Sequence, residues 1–452
     1  GEAFTFTNPL YEPRYHQTVL WSLSLRLPNG NRPPLADSYF NPFNGAALLT
    51  GFDVENPEIY IWDWQNNHTD PYHMTHGIDL IGHHLAYVSP AIEPSPPEWT
   101  TRFLPDAGHA VFRSDWSEDA RWGLLVGEHG AARKTLHDHI DGTSFSIGAY
   151  GEYLLIDPGY YKPNILDNAR TAHSQSHNVI LINGKGAPDK GLLTDFGDAD
   201  AWIKNTLDGH HVDYAEAHQT YEQTTIQRSM LLVRDRYFII ADRLQSDWLE
   251  PRTHTWRLHA GSGGDLGGVF ALHSCEGDAG CGVTIEQERA GITVHIDTTE
   301  GDLIVEEPSF VEGYAPHVHQ YDRTRSVGHH GVFDAKAEAT APNFLAVLAP
   351  YPTDGSIPAL QVQPIDTPTG LSAWLIESEQ GSDIVLLRDD DAPQQLYLPN
   401  GSSISTDAEL LLMSLSDDAF TLIANGTNAS IDGVYRSNIE FERAISLIEN
   451  ER

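Results

Sequence analysis

The sequence predicts a multi-domain α+β protein, with a mainly helical part over residues 1–95, a large antiparallel β-region over 96–350 and a further β-module over 351–452. Three observations carry that reading. The chain has 452 residues, too many for one core. Its first helical pattern stops at a turn signal and is followed by proline- and asparagine-rich loops. Beyond a proline-rich stretch at 89–100, SPAIEPSPPEWT, the apolar residues recur in short runs between Gly, Asp and Asn turns.

In residues 15–27, YHQTVLWSLSLRL, Val19, Leu20, Leu23 and Leu27 stand at helical spacing, and PNG ends the pattern. GAALLTGF and HGIDLIGHHLA suggest further short helices. After residue 100 the runs HAVFRS, WGLLVGEHG, SFSIGAYGEYLLID, HNVILING, SMLLVRDRYFIIADRL, ITVHIDTT and NFLAVLAPY read as strands of stacked antiparallel sheets, because few helical patterns lie between them. SAWLIES, DIVLLRD, LLLMSL and FTLIANG continue the texture into the last module.

Composition narrows function. The 64 acidic and 27 basic residues leave a formal charge of −37, which opposes nucleic acid and anionic lipid as partners. An anionic substrate would need local Arg, Lys, His or metal charge. No run of ~18 apolar residues is present to cross a membrane as a helix. The two cysteines, Cys275 and Cys281 in SCEGDAGCG, are spaced for a small disulfide loop, which favours a secreted or periplasmic setting. No signal peptide precedes Gly1, so the numbering suits a mature or recombinant chain.

The densest chemistry lies in LHDHIDGTSF, residues 136–145. If this stretch is a strand, His137 and His139 share one face about 7 Å apart and Asp138 faces the other way. Asp157 ends the apolar run GEYLLIDPG and His177 opens SHNVILING, so neighbouring strands can bring these residues to the histidine pair. Two imidazoles and a carboxylate suit Zn2+ ahead of Mn2+ or Ca2+. Each residue also has an ordinary structural role open to it. Asp157 in IDPG is a good turn former, His177 a capping histidine, Tyr15 a half-buried anchor and Arg170 a surface cation.

The run from FLPDAGHAVFRSDW through HDHIDGTSFSIGAYGEYLLIDPG to ARTAHSQSHNVILINGKG, residues 103–186, resembles the β-sandwich signature of the heparinase II/III-like polysaccharide lyases. That resemblance implies an α/α-toroid followed by an antiparallel β-sandwich, with acidic polysaccharide bound between them. It implies that His137 is the catalytic histidine, and that His139, Asp157 and His177 hold a metal, with His173 as a rival third ligand and Asp141 hydrogen-bonded behind a histidine. EPRYHQT resembles the toroid segment in which Tyr-His follows a proline and opens a helix, which implies Tyr15 as the catalytic tyrosine. Only fourteen residues precede Tyr15, so most of the toroid is expected to be missing from this sequence.

The expected reaction is β-elimination in a uronate-containing polymer of the alginate, ulvan or glycosaminoglycan type. One group removes the C5 proton, another protonates the oxygen leaving C4, and an unsaturated uronyl product results. Tyr15 and His137 are assigned these roles without deciding which is the base, and zinc is expected to be structural. Two alternatives stay open: a non-catalytic carbohydrate-binding β-sandwich protein, and a metal-dependent glycan hydrolase using the same cluster.

Overall fold

In a computed structural model, residues 13–38, 40–42, 54–66, 91–130, 138–160, 170–188, 200–273, 281–313, 329–389, 392–415 and 420–449 are described. Among them the protein is mostly β, with several antiparallel sheets and two α-helices; a toroid is not evident. Helix α1 spans Pro13–Ser24 and α2 spans Pro57–Gln65. Both begin with proline in the first turn, where its missing N–H costs nothing. The periodicity of 15–27 is realised only as far as Ser24; Leu25 and Leu27 leave the helix and are buried against the first sheet instead. GAALLTGF and HGIDLIGHHLA lie outside the described residues.

Val19 and Leu23 of α1 pack on Ile59 and Tyr60 of α2, and Asp63 of α2 receives Arg26 at 2.8 Å and Arg32 at 2.9 Å. This small unit covers the outer face of a five-stranded meander, Arg102–Leu104, His109–Arg113, Arg121–Val126, Phe145–Ala149 and Glu152–Leu155. A second five-stranded sheet contains Ile180–Ile182, Arg252–His259 and His329–Ala339. Phe145 and Ile147 of the first sheet join Ile180, Trp256 and Phe333 of the second in one apolar layer.

Both sheets face a central eight-stranded sheet that includes Thr224–Val233, Tyr237–Ser246, Ala290–Thr298 and Phe344–Pro352. A further eight-stranded sheet, with strands from Gln361–Pro364 to Val434–Glu449, covers its opposite face. This layering explains the unbroken apolar runs. In YFIIAD, Phe238 and Ile240 enter one core while Tyr237, Ile239 and Ala241 enter the other. In FLAVL, Phe344, Ala346 and Leu348 go one way and Leu345 and Val347 the other. A sheet buried on both faces needs no polar alternation.

One ionic pair interrupts the first of these cores. Arg228 and Asp242 are cross-strand neighbours, both fully buried, joined by bonds of 2.6 and 2.9 Å from Nε and Nη2, and Trp256 Nε1 donates to Asp242 at 3.0 Å. Breaking a buried pair leaves an uncompensated charge, whereas replacing both partners by apolar groups is often tolerated. Asp242→Ala is therefore expected to cost about 3–5 kcal/mol in urea unfolding, and Arg228→Met/Asp242→Leu to cost less than either single change.

Candidate metal centre and its surroundings

The stretch after His137 does not form the strand on which a shared histidine face depends. Residues 138–144 are irregular and the strand begins at Phe145. The reason lies in the local hydrogen bonds: Ile140 N–H donates to Ala172 O at 2.9 Å, Ser174 Oγ to Ile140 O at 2.9 Å, and Ser144 N–H to Asp141 O at 2.8 Å. These contacts turn the chain and bury His139. His137 lies outside the described residues.

Asp157 arrives from the other side. The hairpin Phe145–Ala149 to Glu152–Leu155 turns through Tyr150 and Gly151, both at positive φ, and Ile156 N–H then binds His259 O at 3.0 Å. The Asp157 carboxylate does two jobs. Oδ1 accepts the Gly159 N–H at 2.9 Å, closing the Asp-Pro-Gly turn, and Oδ2 meets His177 Nδ1 at 2.8 Å. The turn-forming role of this residue is thus compatible with its contact to His177.

His177 follows the short 3-10 turn Ser174–Ser176. Asn178 beside it is a junction: Nδ2 donates to Phe145 O at 2.7 Å and Ile156 O at 3.2 Å, while Oδ1 accepts His259 N–H at 2.6 Å. Arg228 Nη1, held by Asp242, donates to Thr143 O at 2.9 Å and Asn178 O at 2.5 Å. The buried ion pair therefore ties together the two segments that carry His139 and His177.

The result is a group of His139, Asp157 and His177, each 2% exposed or less, in which one ligand atom from each lies within 4.8 Å of the others. The imidazole rings of His139 and His177 are 5.3 Å apart. His139 Nε2 is 3.1 Å from Asp37 Oδ1; donation along that bond leaves Nδ1 as the lone-pair nitrogen, a common support for a metal-bound histidine. His177 Nε2 is buried with no hydrogen-bond partner. An orphaned buried nitrogen is costly, and a cation of the zinc type satisfies it. The donor chemistry and this nitrogen fit a metal site.

Electrostatics agree. Burial holds the His139 imidazole below its usual range, as a neutral ligand requires. Burial also opposes charge on His177 and Asp157, but their mutual attraction and hydrogen bond outweigh it, raising His177 and lowering Asp157. The Asp141 carboxyl is pushed well up by burial and by the charge of Glu128.

The other described residues that were expected at the site are not among the three grouped ones. Tyr15 lies on α1 with 42% of its surface exposed. His173 precedes the 3-10 turn and is not one of the three grouped residues. Arg170 opens another 3-10 turn. Asp37, Asn178, Arg228 and Asp242 were not anticipated; only the Asn after His177 carried a local signal.

This arrangement is a β-sandwich with a buried His-Asp-His group that could hold a metal and includes the second histidine of the H-x-H segment. The profile of the Heparinase II/III-like, C-terminal family matches residues 96–342, more than half of the sequence, and the chain belongs to that family. Solved structures similar to it include the Heparinase III-BT4657 gene product, at 12% identity and a TM-score of 0.58, covering 84% of this chain and 54% of that one. The heparan sulfate lyase HepC from Pedobacter heparinus has 15% identity and a TM-score of 0.58, over 84% and 54%. A structure of heparinase III has 13% identity and a TM-score of 0.60, over 83% and 54%. At these identities the likeness is one of fold, and the chain spans about half the length of these structures. No curated protein matches it.

Metal loading has a defined pH sign. In the metal-free protein, His177 contributes stability that is complete below the ordinary imidazole value of 6.5 and is lost as pH climbs through its raised pKa; Asp157 contributes above 3.8 and loses it as pH falls through its lowered pKa. Zinc must displace the His177 proton, so its affinity is expected to fall about tenfold per pH unit below that raised pKa, read by chelator competition. Asp37→Ala should weaken zinc about 10–100-fold, and His177→Ala more.

Proposed function

We propose that this protein cleaves a uronate-containing acidic polysaccharide by β-elimination. The observation that carries the reading is the conjunction of family membership with a buried His139, Asp157 and His177 group whose first member is the second histidine of the H-x-H segment. In this reading His139, Asp157 and His177 hold zinc. The ion supplies a fixed positive charge that pins the irregular segment 138–144 to the sandwich, so that His137 is held towards substrate.

Tyr15 and His137 carry the proton transfers on the two sides of the sugar: one takes the C5 proton, the other protonates the C4 oxygen as the bond breaks. The enediolate-like charge that develops needs local donors or cations. The placement of α1 supports a role for Tyr15. Trp21 Nε1 donates to His109 Nδ1 at 3.2 Å, docking the helix on the sheet that carries the H-x-H segment, and Tyr15 stands six residues upstream, about 9 Å of helical rise. The similarity in fold to structures titled heparinase III and heparan sulfate lyase supports a glycosaminoglycan among the candidate polymers. Cys281 is disulfide-bonded, which supports a secreted or periplasmic setting; Cys275 lies outside the described residues.

A second reading is carbohydrate binding by the sandwich without cleavage. Incubation with alginate, ulvan and heparan sulfate separates the readings. Elimination gives a product absorbing in the near ultraviolet, whereas hydrolysis gives new reducing ends without that absorbance. His137→Ala and Tyr15→Phe are each expected to lower the elimination rate about 10^2–10^4-fold with the fold retained. Binding of polymer with no product, unaltered by either change, would replace the lyase reading by the binding one.

A further inference from the structure

A second cluster lies next to the histidine site. Glu128, Asp138 and Asp141 place one carboxylate oxygen each within 4.8 Å of the others. The backbone makes this crowding unavoidable. Gly127 N–H binds Gly108 O at 2.6 Å, Thr143 N–H binds Val126 O at 2.9 Å and Ala201 N–H binds Glu128 O at 2.9 Å. A Cβ on Gly108 would come within 2.7 Å of Glu128 Cα, so the strand end bearing Glu128 is pressed onto its neighbour.

An independent feature points into the cluster. His109 is 3% exposed, and Trp21 Nε1 donates to its Nδ1 at 3.2 Å, so the neutral ring carries its hydrogen on Nε2. That Nε2 has no hydrogen-bond partner and stands 3.6 Å from Glu128 Oε1, beyond bonding distance. A buried N–H that faces the Glu128 carboxylate without reaching it is satisfied by an acceptor between them, such as a water bound to a cation.

We infer that Glu128, Asp138 and Asp141 form a second divalent-cation site, hard-oxygen in character and suited to Ca2+, with His109 donating to a water on the ion. Three carboxylates with no nitrogen ligand select an oxygen-seeking cation, whereas the two imidazoles of the neighbouring group select zinc. The ion offsets carboxylate charge at Asp138, the residue that follows His137 in the sequence, in a chain of formal charge −37. On the lyase reading above, it attracts the substrate carboxylate.

The test uses the zinc-loaded protein and Tb3+ as a luminescent probe excited through tryptophan, displaced by Ca2+. Glu128→Gln and Asp138→Asn are expected to weaken Ca2+ competition at least tenfold while zinc content by elemental analysis stays unchanged. Ca2+ should raise the thermal midpoint of the wild type and leave that of either variant unmoved, a readout available for any folded protein. Equal Ca2+ affinity in wild type and variants, absence of binding at millimolar Ca2+, or loss of zinc in step with Ca2+ would each overturn the second site. Polymer binding is then compared in calcium-free and calcium-containing buffer. Ca2+ binding without polymer binding leaves the cation site standing and removes the lyase reading, whereas polymer cleavage without Ca2+ binding does the reverse.

Discussion

The buried pair of Arg228 and Asp242 is the constraint around which the site is organised. Two opposite charges within an apolar layer survive only when every donor and acceptor is engaged. Arg228 meets that condition by reaching past Asp242 to the carbonyls of Thr143 and Asn178. The central sheet thereby grips two irregular segments that no strand pairing would hold. Asn178 continues the same connection to Phe145, Ile156 and His259. The candidate ligands thus occupy irregular segments, each tied by hydrogen bonds to the sheets around them, which holds their geometry closely.

Charge distribution gives this centre its chemical character. Burial favours the neutral form of His139, while the contact of His177 with Asp157 at 2.8 Å favours the charged form of each. Acidic groups crowd the next few ångströms, and burial together with the Glu128 charge pushes the Asp141 carboxyl well up. In a chain this acidic, attraction of a polyanion has to come from a few local positive charges, and bound cations concentrate such charge most effectively.

Much of the strand content was legible because burial leaves a pattern. The runs in SMLLVRDRYFIIADRL and NFLAVLAPY read directly as strands, and their lack of alternation has its cause in a sheet covered on both faces. The helical expectation for the first 95 residues was realised, among the described residues, only in α1 and α2, since short apolar runs do not distinguish helix from buried strand or loop. The strand geometry expected at His139 is absent: hydrogen bonds to Ala172 and Ser174 govern residues 138–144, and those partners lie more than thirty residues from Ile140.

Periodicity and net charge are local or additive properties, so the β-rich character of residues 100–449 and a charge balance that opposes a general polyanion-binding surface were readable directly, whereas His139, Asp157 and His177 were named as a metal group through the family resemblance. Only the tertiary structure decided that Asp37 supports His139, that Asp157 divides its oxygens between a turn and His177, and that Arg228 anchors both ligand segments. Those are contacts between residues far apart along the chain. Their partners are chosen by how the layers stack, and nothing in the adjacent sequence encodes that choice.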